Sequence, residues 1–339
     1  MADWKDALFQ YKVEELGDNT PVEDSDHDEH ELWAAAATTG KSPLQKLIFA
    51  ACQTDDERTD ALKKTAYEEK SSCDSLYKAL TARTESLADK TVSATFPWRL
   101  KVGGLRGFQE LLLPAFHPVY GIPYVPSSSL KGMLKGWAKK ALPEESEKIR
   151  EIFGYLEGEE SATARVQILD AFPTKPCLST DIANPQWHWD SNQQVKYKPE
   201  PHPMLSMRDV TLVIGLKRTS LGRAEDVITA CTWLEKALLT EGLGGRVSAG
   251  YGRAQKVNKK QRTASSPRYV ASTHPFELWS EGMYGISTKD PEFRTVSVRG
   301  ILRYWFRAFA LGLYSPQACQ ALENNFFGSL EVPEGDEKK

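Results

Sequence analysis

One pattern limits what this chain can fold into more than any other: an eleven-residue stretch occurs twice. Ser129-Leu-Lys-Gly-Met-Leu-Lys-Gly-Trp-Ala-Lys139 returns as Ser297-Val-Arg-Gly-Ile-Leu-Arg-Tyr-Trp-Phe-Arg307, at a constant offset of 168. Serine, glycine, leucine and tryptophan coincide, and Arg299, Arg303 and Arg307 stand where Lys131, Lys135 and Lys139 stand. Each copy is followed by Phe-Gly, at Phe153-Gly154 and Phe327-Gly328. Agreement this dense marks an internal duplication, so one module is followed by at least the opening of a second. The cations recur every four residues and form a basic stripe, while Leu130, Met133, Leu134, Trp137 and Ala141 form the core-facing stripe of the same helix. Serines at 127–129 are good N-caps and place the helix start near Ser128 or Ser129. A helix start of this kind attracts phosphate through its free N–H groups and its dipole, and lysines in the first turns strengthen that. A solvated amphipathic helix would explain the lysines, though not the serines and glycine together.

The second notable stretch is Gly242-Leu-Gly-Gly-Arg-Val-Ser-Ala-Gly-Tyr-Gly-Arg253, with five glycines in twelve positions. It follows a predicted helix over 226–239. Glycine lets a backbone approach a ligand closely; Arg246, Ser248, Tyr251 and Arg253 suit a phosphate-and-base ligand. A dinucleotide fingerprint is excluded, because Val247 stands where the third glycine belongs and the helix precedes the loop. For this stretch a Walker loop is excluded, because it holds no Gly-Lys-Ser/Thr. A glycine-rich turn without any ligand stays open.

Around these stretches the chain reads as alternating strands and helices. Thr91–Val102 is a strand, with Val92, Ala94, Phe96 and Trp98 alternating. The loop Leu105–Ser127 is kept extended by its prolines and holds Phe116, His117, Tyr120 and Tyr124. Strands follow at Val166–Phe172 and Val210–Leu216. Between them lies a polar stretch with Trp187, His188, Trp189, Lys196, Tyr197 and Lys198. It is either an exposed hairpin that stacks on bases or a surface loop with its tryptophans tucked inward. The order predicts an α+β fold: a ferredoxin-like (RRM-like) domain with insertions, a helical N-terminal extension and a partial second ferredoxin-like module. The expected boundaries are an acidic, mostly helical accessory region at 1–90, the domain at 91–257, a linker at 258–272 and an incomplete second module at 273–339. That second module lacks a glycine-rich loop, so it is incomplete or finishes on another chain.

Charge sharpens the reading. The net charge of −3 divides into about −9 for residues 1–90, +8 for 91–270 and −2 for 271–339. A basic middle fits a polyanion. Five scattered cysteines without a Cys-x-x-Cys pair point to a reducing compartment and away from zinc. With no apolar run long enough to span a bilayer and no signal peptide, a cytoplasmic location is expected. His27-Asp28-Glu29-His30 lies in an acidic stretch that a solvated loop explains better than a metal.

These residues resemble the RAMP superfamily of CRISPR effector proteins. Its marks are the serine-initiated basic helix, here Pro126-Ser-Ser-Ser-Leu-Lys-Gly132, and the C-terminal glycine-rich loop, here 242–252. Gly121-Ile-Pro-Tyr-Val-Pro126, Ile168-Leu-Asp-Ala-Phe-Pro173, Leu178-Ser-Thr-Asp-Ile182 and Ala249-Gly-Tyr-Gly-Arg253 occur in the order seen in the terminal backbone subunit of type III-B Cmr complexes, the one numbered six. Residues 273–330 look like the start of the subunit numbered one.

The resemblance implies an RNA-binding subunit of a ribonucleoprotein in antiviral defence. Its partners would be CRISPR guide RNA, held near the 3′ end, target RNA, and other RAMP subunits, with no membrane. The expected RNA-binding residues are Ser128, Ser129, Lys131, Lys135, Lys139, Gly244, Gly245, Arg246, Ser248, Gly250, Tyr251, Arg253, Arg299 and Arg303. Cleaving subunits of such complexes carry an aspartate in the first strand-to-helix loop. Here that loop has Glu110 and His117 but no aspartate, and Asp170 and Asp181 read as turn or capping residues. The expectation is binding without catalysis, cofactor or metal. The alternatives are a RAMP endoribonuclease processing guide precursors, with His117 as general acid/base, and a protein scaffold built on residues 1–90.

Overall fold

The computed structural model describes residues 42–48, 54–103, 111–157, 160–258, 260–261 and 291–328, with isolated positions at 50, 275, 277 and 283–286. The acidic stretch 17–31, Glu110 and most of the expected linker lie outside the described residues.

Two long strands carry the fold. β1 (Lys90–Leu100) and β9 (His202–Arg218) pair antiparallel from Lys90↔Leu216 to Leu100↔Met207. The register shifts between Phe96 and Arg99, where Pro97 has no N–H to give to a ladder. The sheet order is β11-β10-β1-β9-β4, with β4 (Val166–Ile168), β10 (Lys256–Val257) and β11 (Lys260–Gln261); β5 (Phe172–Pro173) and β6 (Leu178–Ala183) also pair with β9, and β2 (Tyr155–Glu157) pairs with β3 (Glu160–Ala162) in a separate hairpin. All these strand pairings are antiparallel. The result is an α+β fold with an antiparallel sheet. β9 runs well past the stretch expected from alternation, because Met204–Met207 are buried consecutively beneath a second layer.

One sheet face takes helices α4 (Ser127–Ala141), α5 (Ser146–Phe153) and α6 (Ala224–Thr240). Val92, Ala94 and Phe96 of β1 and Leu212, Ile214 and Leu216 of β9 meet Leu130, Leu134, Trp137 and Leu234 there in one core. The N-terminal helices α1 (Pro43–Ile48), α2 (Asp55–Ser72) and α3 (Asp74–Leu87) pack on the sheet through smaller cores, Leu47 and Leu62 with Leu205, and Tyr77 and Leu80 with Phe172. Gly215 lets α3 come close: a Cβ there would stand 3.0 Å from the Thr84 side chain. Glu69 on α2 is buried and accepts from the backbone N–H of Cys177 (2.9 Å) and Leu178 (2.6 Å) and from Tyr77 Oη (2.5 Å). Burial drives its carboxyl above the usual range against the pull of those three donors.

The start of α4 differs from expectation. Its N-cap is Pro126, so all three serines lie inside the first turn. The Ser127 N–H donates to Asp170 Oδ1 at 2.6 Å, so a carboxylate from the β4–β5 connection supplies the cap.

The repeat ends in α7 (Thr295–Ala310) and α8 (Pro316–Phe327). Both copies therefore form a helix pair closed by Phe-Gly, and the two glycines share one conformation: φ 70, ψ 165 at Gly154 and φ 77, ψ 154 at Gly328. In each a stripe cation caps that end, Lys135 on the Gly154 carbonyl and Arg299 on the Phe327 carbonyl.

Candidate nucleic-acid interface

The glycine-rich loop leaves α6 and packs on the C-terminal end of β1. The Gly245 N–H donates to the Lys101 carbonyl (2.8 Å) and the Gly252 N–H to the Arg99 carbonyl (2.7 Å). Gly244 has φ +82, and a Cβ there would fall 2.3 Å from the Lys101 oxygen, so close seating on β1 accounts for this glycine without a ligand. Arg253 donates to the carbonyls of Thr240 (3.2 Å) and Glu241 (3.0 Å) and so caps α6. Its guanidinium is taken up by the helix end rather than offered to a ligand.

Tyr251 is a correction. Its ring is fully buried against Trp98, with centroids 4.9 Å apart, and its hydroxyl donates to Asp181 Oδ2 at 2.5 Å. Burial first, then the Asp181 charge, pushes the phenol far above its ordinary range. A ring in that position has no face for a base.

Asp181 is an ion-paired core residue rather than the expected turn or capping residue. It is fully buried and also meets Arg294 Nη2 at 2.8 Å and Arg99 at 3.6 Å. Arg99 continues to Glu292 at 2.9 Å and to Ser206 Oγ at 2.8 Å. This buried network joins β1, β6, β9 and the glycine loop to the segment leading into α7. The one sequence signal for it was an aspartate at an inward position of a strand, Leu178–Ala183; its partners are distant in sequence.

Beside the network lies an open cationic spot. Arg246 is exposed in a left-handed turn at φ 59, next to exposed Gly244, Gly245 and Ser248. Lys101 sits under it, and among the described residues neither cation has a hydrogen bond or ion pair through its side chain. Burial, then the Arg246 charge, pushes the Lys101 amine down to about 8. The chain leaving β1 toward α4 starts from this same end: the Ala115 N–H donates to the Val102 carbonyl, the Tyr124 N–H to Ala115, and the Val125 N–H to Ala171. On α4, Ser128 and Lys139 are exposed and Ser129 and Lys131 half-buried, while Lys135 is held by the Gly154 carbonyl at 3.2 Å.

The second stripe is a further correction. Arg299 reaches Ser248 Oγ (3.3 Å) and the Phe327 carbonyl, Arg303 pairs with Glu323, and Arg307 is buried against the same carboxylate. Arg303 and Arg307 share one carboxylate and Arg299 is held by neutral oxygens, so all three are engaged within the chain and do not extend a free phosphate track. Thr295 Oγ1 donates to the Ala249 carbonyl at 2.6 Å and leaves no room for a Cβ on Gly250, so α7 covers that part of the loop. In the hairpin of β7 (Trp187–Trp189) and β8 (Val195–Tyr197), Trp189 Nε1 donates to Glu323 Oε2 at 3.0 Å and Trp187 packs on Tyr197 and on Tyr304. Trp189 is drawn inward by that bond, while Trp187 stays exposed beside Tyr197 and Tyr304. His117 Nδ1 accepts from the Val119 N–H (3.2 Å), and its ring stacks on Tyr120.

Among the described residues no His/Cys/Asp/Glu group could hold a metal ion, and no helix is long and apolar enough to cross a membrane.

Residues 91–255 match the RAMP superfamily. A CRISPR system CMR subunit Cmr6 of Saccharolobus solfataricus is 30% identical over 145 residues, 40% of this chain and 46% of that protein. A CRISPR system Cmr subunit Cmr1-2 of Pyrococcus furiosus is 41% identical over 49 residues, 14% of this chain and 26% of that protein. The chain thus spans less than half the length of these curated relatives. A chain of the cryo-EM structure of the Type III-B Cmr-beta bound to cognate target RNA superposes with a TM-score of 0.43 at 20% identity, covering 68% of this chain and 87% of that one.

Proposed function

We propose that residues 91–257 form a ferredoxin-like RNA-binding module that holds the backbone of a CRISPR guide RNA, near its 3′ end, as a non-catalytic subunit of a type III effector complex. The observation that carries this reading is exposed Arg246 on the glycine loop above the buried, unpaired Lys101 at the end of β1, in a domain of RAMP descent. Unpaired cations beside backbone N–H groups suit a phosphate. The strand order β10-β1-β9-β4, with α4 and α6 on one face, supports the ferredoxin-like assignment. The proposed contact set narrows to Ser128, Ser129, Lys131, Lys139, Gly244, Gly245, Arg246 and Ser248, with residues 273–339 as a partial second module.

Binding without cleavage is favoured over guide processing because His117 Nδ1 is spent on its own turn and the ring is held among aromatic neighbours. The test is single-stranded RNA binding against salt. Arg246→Ala and Lys131→Ala should weaken binding alike for all sequences, and each should flatten the log–log salt slope by about 0.7. An unchanged slope in the double variant rejects this site. Incubation with guide precursor gives the second readout, since cleavage abolished by His117→Ala would favour the nuclease.

A further inference from the structure

Arg246 stands in a left-handed turn, a conformation that a residue with a side chain keeps only where its surroundings enforce it: φ is 59 there, and Val247–Ala249 continue as a 3-10 turn. A left-handed residue followed by a right-handed turn points successive N–H groups to one side and makes a small anion-binding concavity. The N–H groups of Arg246, Val247 and Ser248 meet no acceptor among the described residues, and Arg246 and Ser248 are exposed.

What enforces the turn lies at its far end. The Arg246 carbonyl accepts from the Ala249 N–H at 2.9 Å and from the Tyr251 N–H at 3.2 Å. The segment that enters α7 grips both of those residues. Thr295 Oγ1 donates to the Ala249 carbonyl at 2.6 Å. Tyr251 Oη donates to Asp181 Oδ2, and the other oxygen of that carboxylate accepts from Arg294 Nη2 at 2.8 Å. Gly250, between the two, has φ +92, and a Cβ there would lie 2.2 Å from Thr295 Oγ1, so a glycine is what admits the segment. β1 holds the loop outside this turn, at Gly245 and Gly252. The segment lies beside the free N–H groups and not over them: Gly244, Gly245, Arg246 and Ser248 stay exposed, while Gly250, against Thr295, is half-buried.

We propose that Thr295, with Arg294 acting through Asp181 and Tyr251, is a positioning residue for the glycine-rich loop: the segment entering α7 latches Ala249 and Tyr251 and through them keeps the N–H groups of residues 246–248 turned toward a phosphate. This rests on the reading of the loop as an RNA-backbone site and deepens it, because residues 294 and 295 become part of what shapes that site.

The test is binding of single-stranded oligouridylate to the full 339-residue protein, followed by anisotropy at constant ionic strength. Thr295→Val keeps the side-chain shape and removes the donor. It should raise the dissociation constant about three- to tenfold, the size of one lost hydrogen bond. Thr295→Ser keeps the hydroxyl and should bind as the parent does. Tyr251→Phe removes the link to Asp181, leaves the Arg294 pair in place and should weaken binding alike. Hydrogen exchange separates a loosened loop from a loosened fold: in Thr295→Val the Ala249 and Tyr251 amides should exchange faster, while the β1–β9 ladder exchanges as in the parent. Tighter binding by either weakened variant overturns the proposal, because the segment is then a lid on the loop. Thr295→Ser binding no better than Thr295→Val overturns it as well, since the hydroxyl is then not what positions Ala249. So does unchanged affinity in Thr295→Val and Tyr251→Phe where Arg246→Ala still weakens binding, because the loop then keeps its turn unaided. Unchanged affinity in Arg246→Ala removes the RNA reading itself, and this inference with it.

Discussion

Helices α4 and α7 carry the same pattern and are packed in opposite senses. In α4 the leucines and tryptophan enter the core, while Lys131 and Lys139 stay at or near the surface. In α7 the basic stripe enters, with Arg307 buried on Glu323, and the leucine–tryptophan stripe faces solvent. An amphipathic sequence fixes two faces and does not say which one is inside; the neighbour decides. α4 meets an apolar sheet. α7 meets a buried carboxylate, the Ser248 hydroxyl and the Trp187 carbonyl, groups that satisfy guanidinium and nothing apolar.

The largest test of that difference is one substitution made twice. Trp137→Ala removes a ring from a closed core and should cost about 3–5 kcal/mol, read by denaturant unfolding. Trp305→Ala at the repeat position should cost under about 1 kcal/mol in the isolated protein, because its ring is already half in water. Equal costs would mean that α7 is covered in solution by another part of this chain.

Next in size is the joint between the two regions. Asp181→Asn leaves Arg99 and Arg294 buried with weakened compensation and should destabilise by about 3 kcal/mol. The loss should be local as well as global, with trypsin releasing 291–328 from the domain much faster than in the parent. Unchanged proteolysis would show that α7 and α8 are held by something other than this network.

A smaller effect attaches to Glu323, the carboxylate that turns the arginines of α7 inward. Burial raises its pKa, but hydrogen bonds from Arg307, Arg303 and Trp189 outweigh that and hold it below the usual range. A depressed folded pKa gives stability that is present above the unfolded value and lost as pH falls through the folded one. Trypsin sensitivity at Arg303 and Arg307 should therefore rise below about pH 4.5. Glu323→Gln should show that sensitivity at neutral pH, with a cost of roughly 2 kcal/mol. A pH-independent digestion pattern would count against Glu323 as the organiser.

The duplication, the antiparallel α+β pattern and the family were legible because each rests on local spacing: four-residue periodicity, alternation in β1, glycines bunched after α6. What escaped was set by contacts remote in sequence. Nothing near Tyr251 announces that Asp181, seventy positions away, takes its hydroxyl. The serine caps failed for the same reason, since Asp170 reaches in from another connection. The stripe of arginines looked like a phosphate track because Glu323 lies on the next helix, and a single acid in Ala321-Leu-Glu-Asn324 carries no mark of its partner. Lys101 carries no mark in the sequence, being one lysine at the end of an apolar strand.

The smallest effect separates the two regions by single cations: Lys101 has no side-chain partner among the described residues, whereas Arg303 and Arg307 of α7 pair with Glu323. Lys101 titrates at about 8 where a lysine ordinarily stands at 10.5, through burial first and the Arg246 charge second. Between those values the unfolded chain holds the proton and the folded one does not, so stability should rise with pH across that window. Affinity for a phosphate held by Arg246 should move the other way, because the positive charge under the loop is lost as pH passes 8. Single-stranded RNA, followed by anisotropy at constant ionic strength, should bind about threefold more weakly at pH 9 than at pH 7, the size expected for one partly screened charge. Lys101→Met should bind at the weaker level throughout and lose the pH dependence, while Lys101→Arg should lose the dependence and keep the affinity. Replacing Arg303, already paired with Glu323, should leave the profile unchanged. A parent profile that matches that of Lys101→Met would place the RNA away from the end of β1.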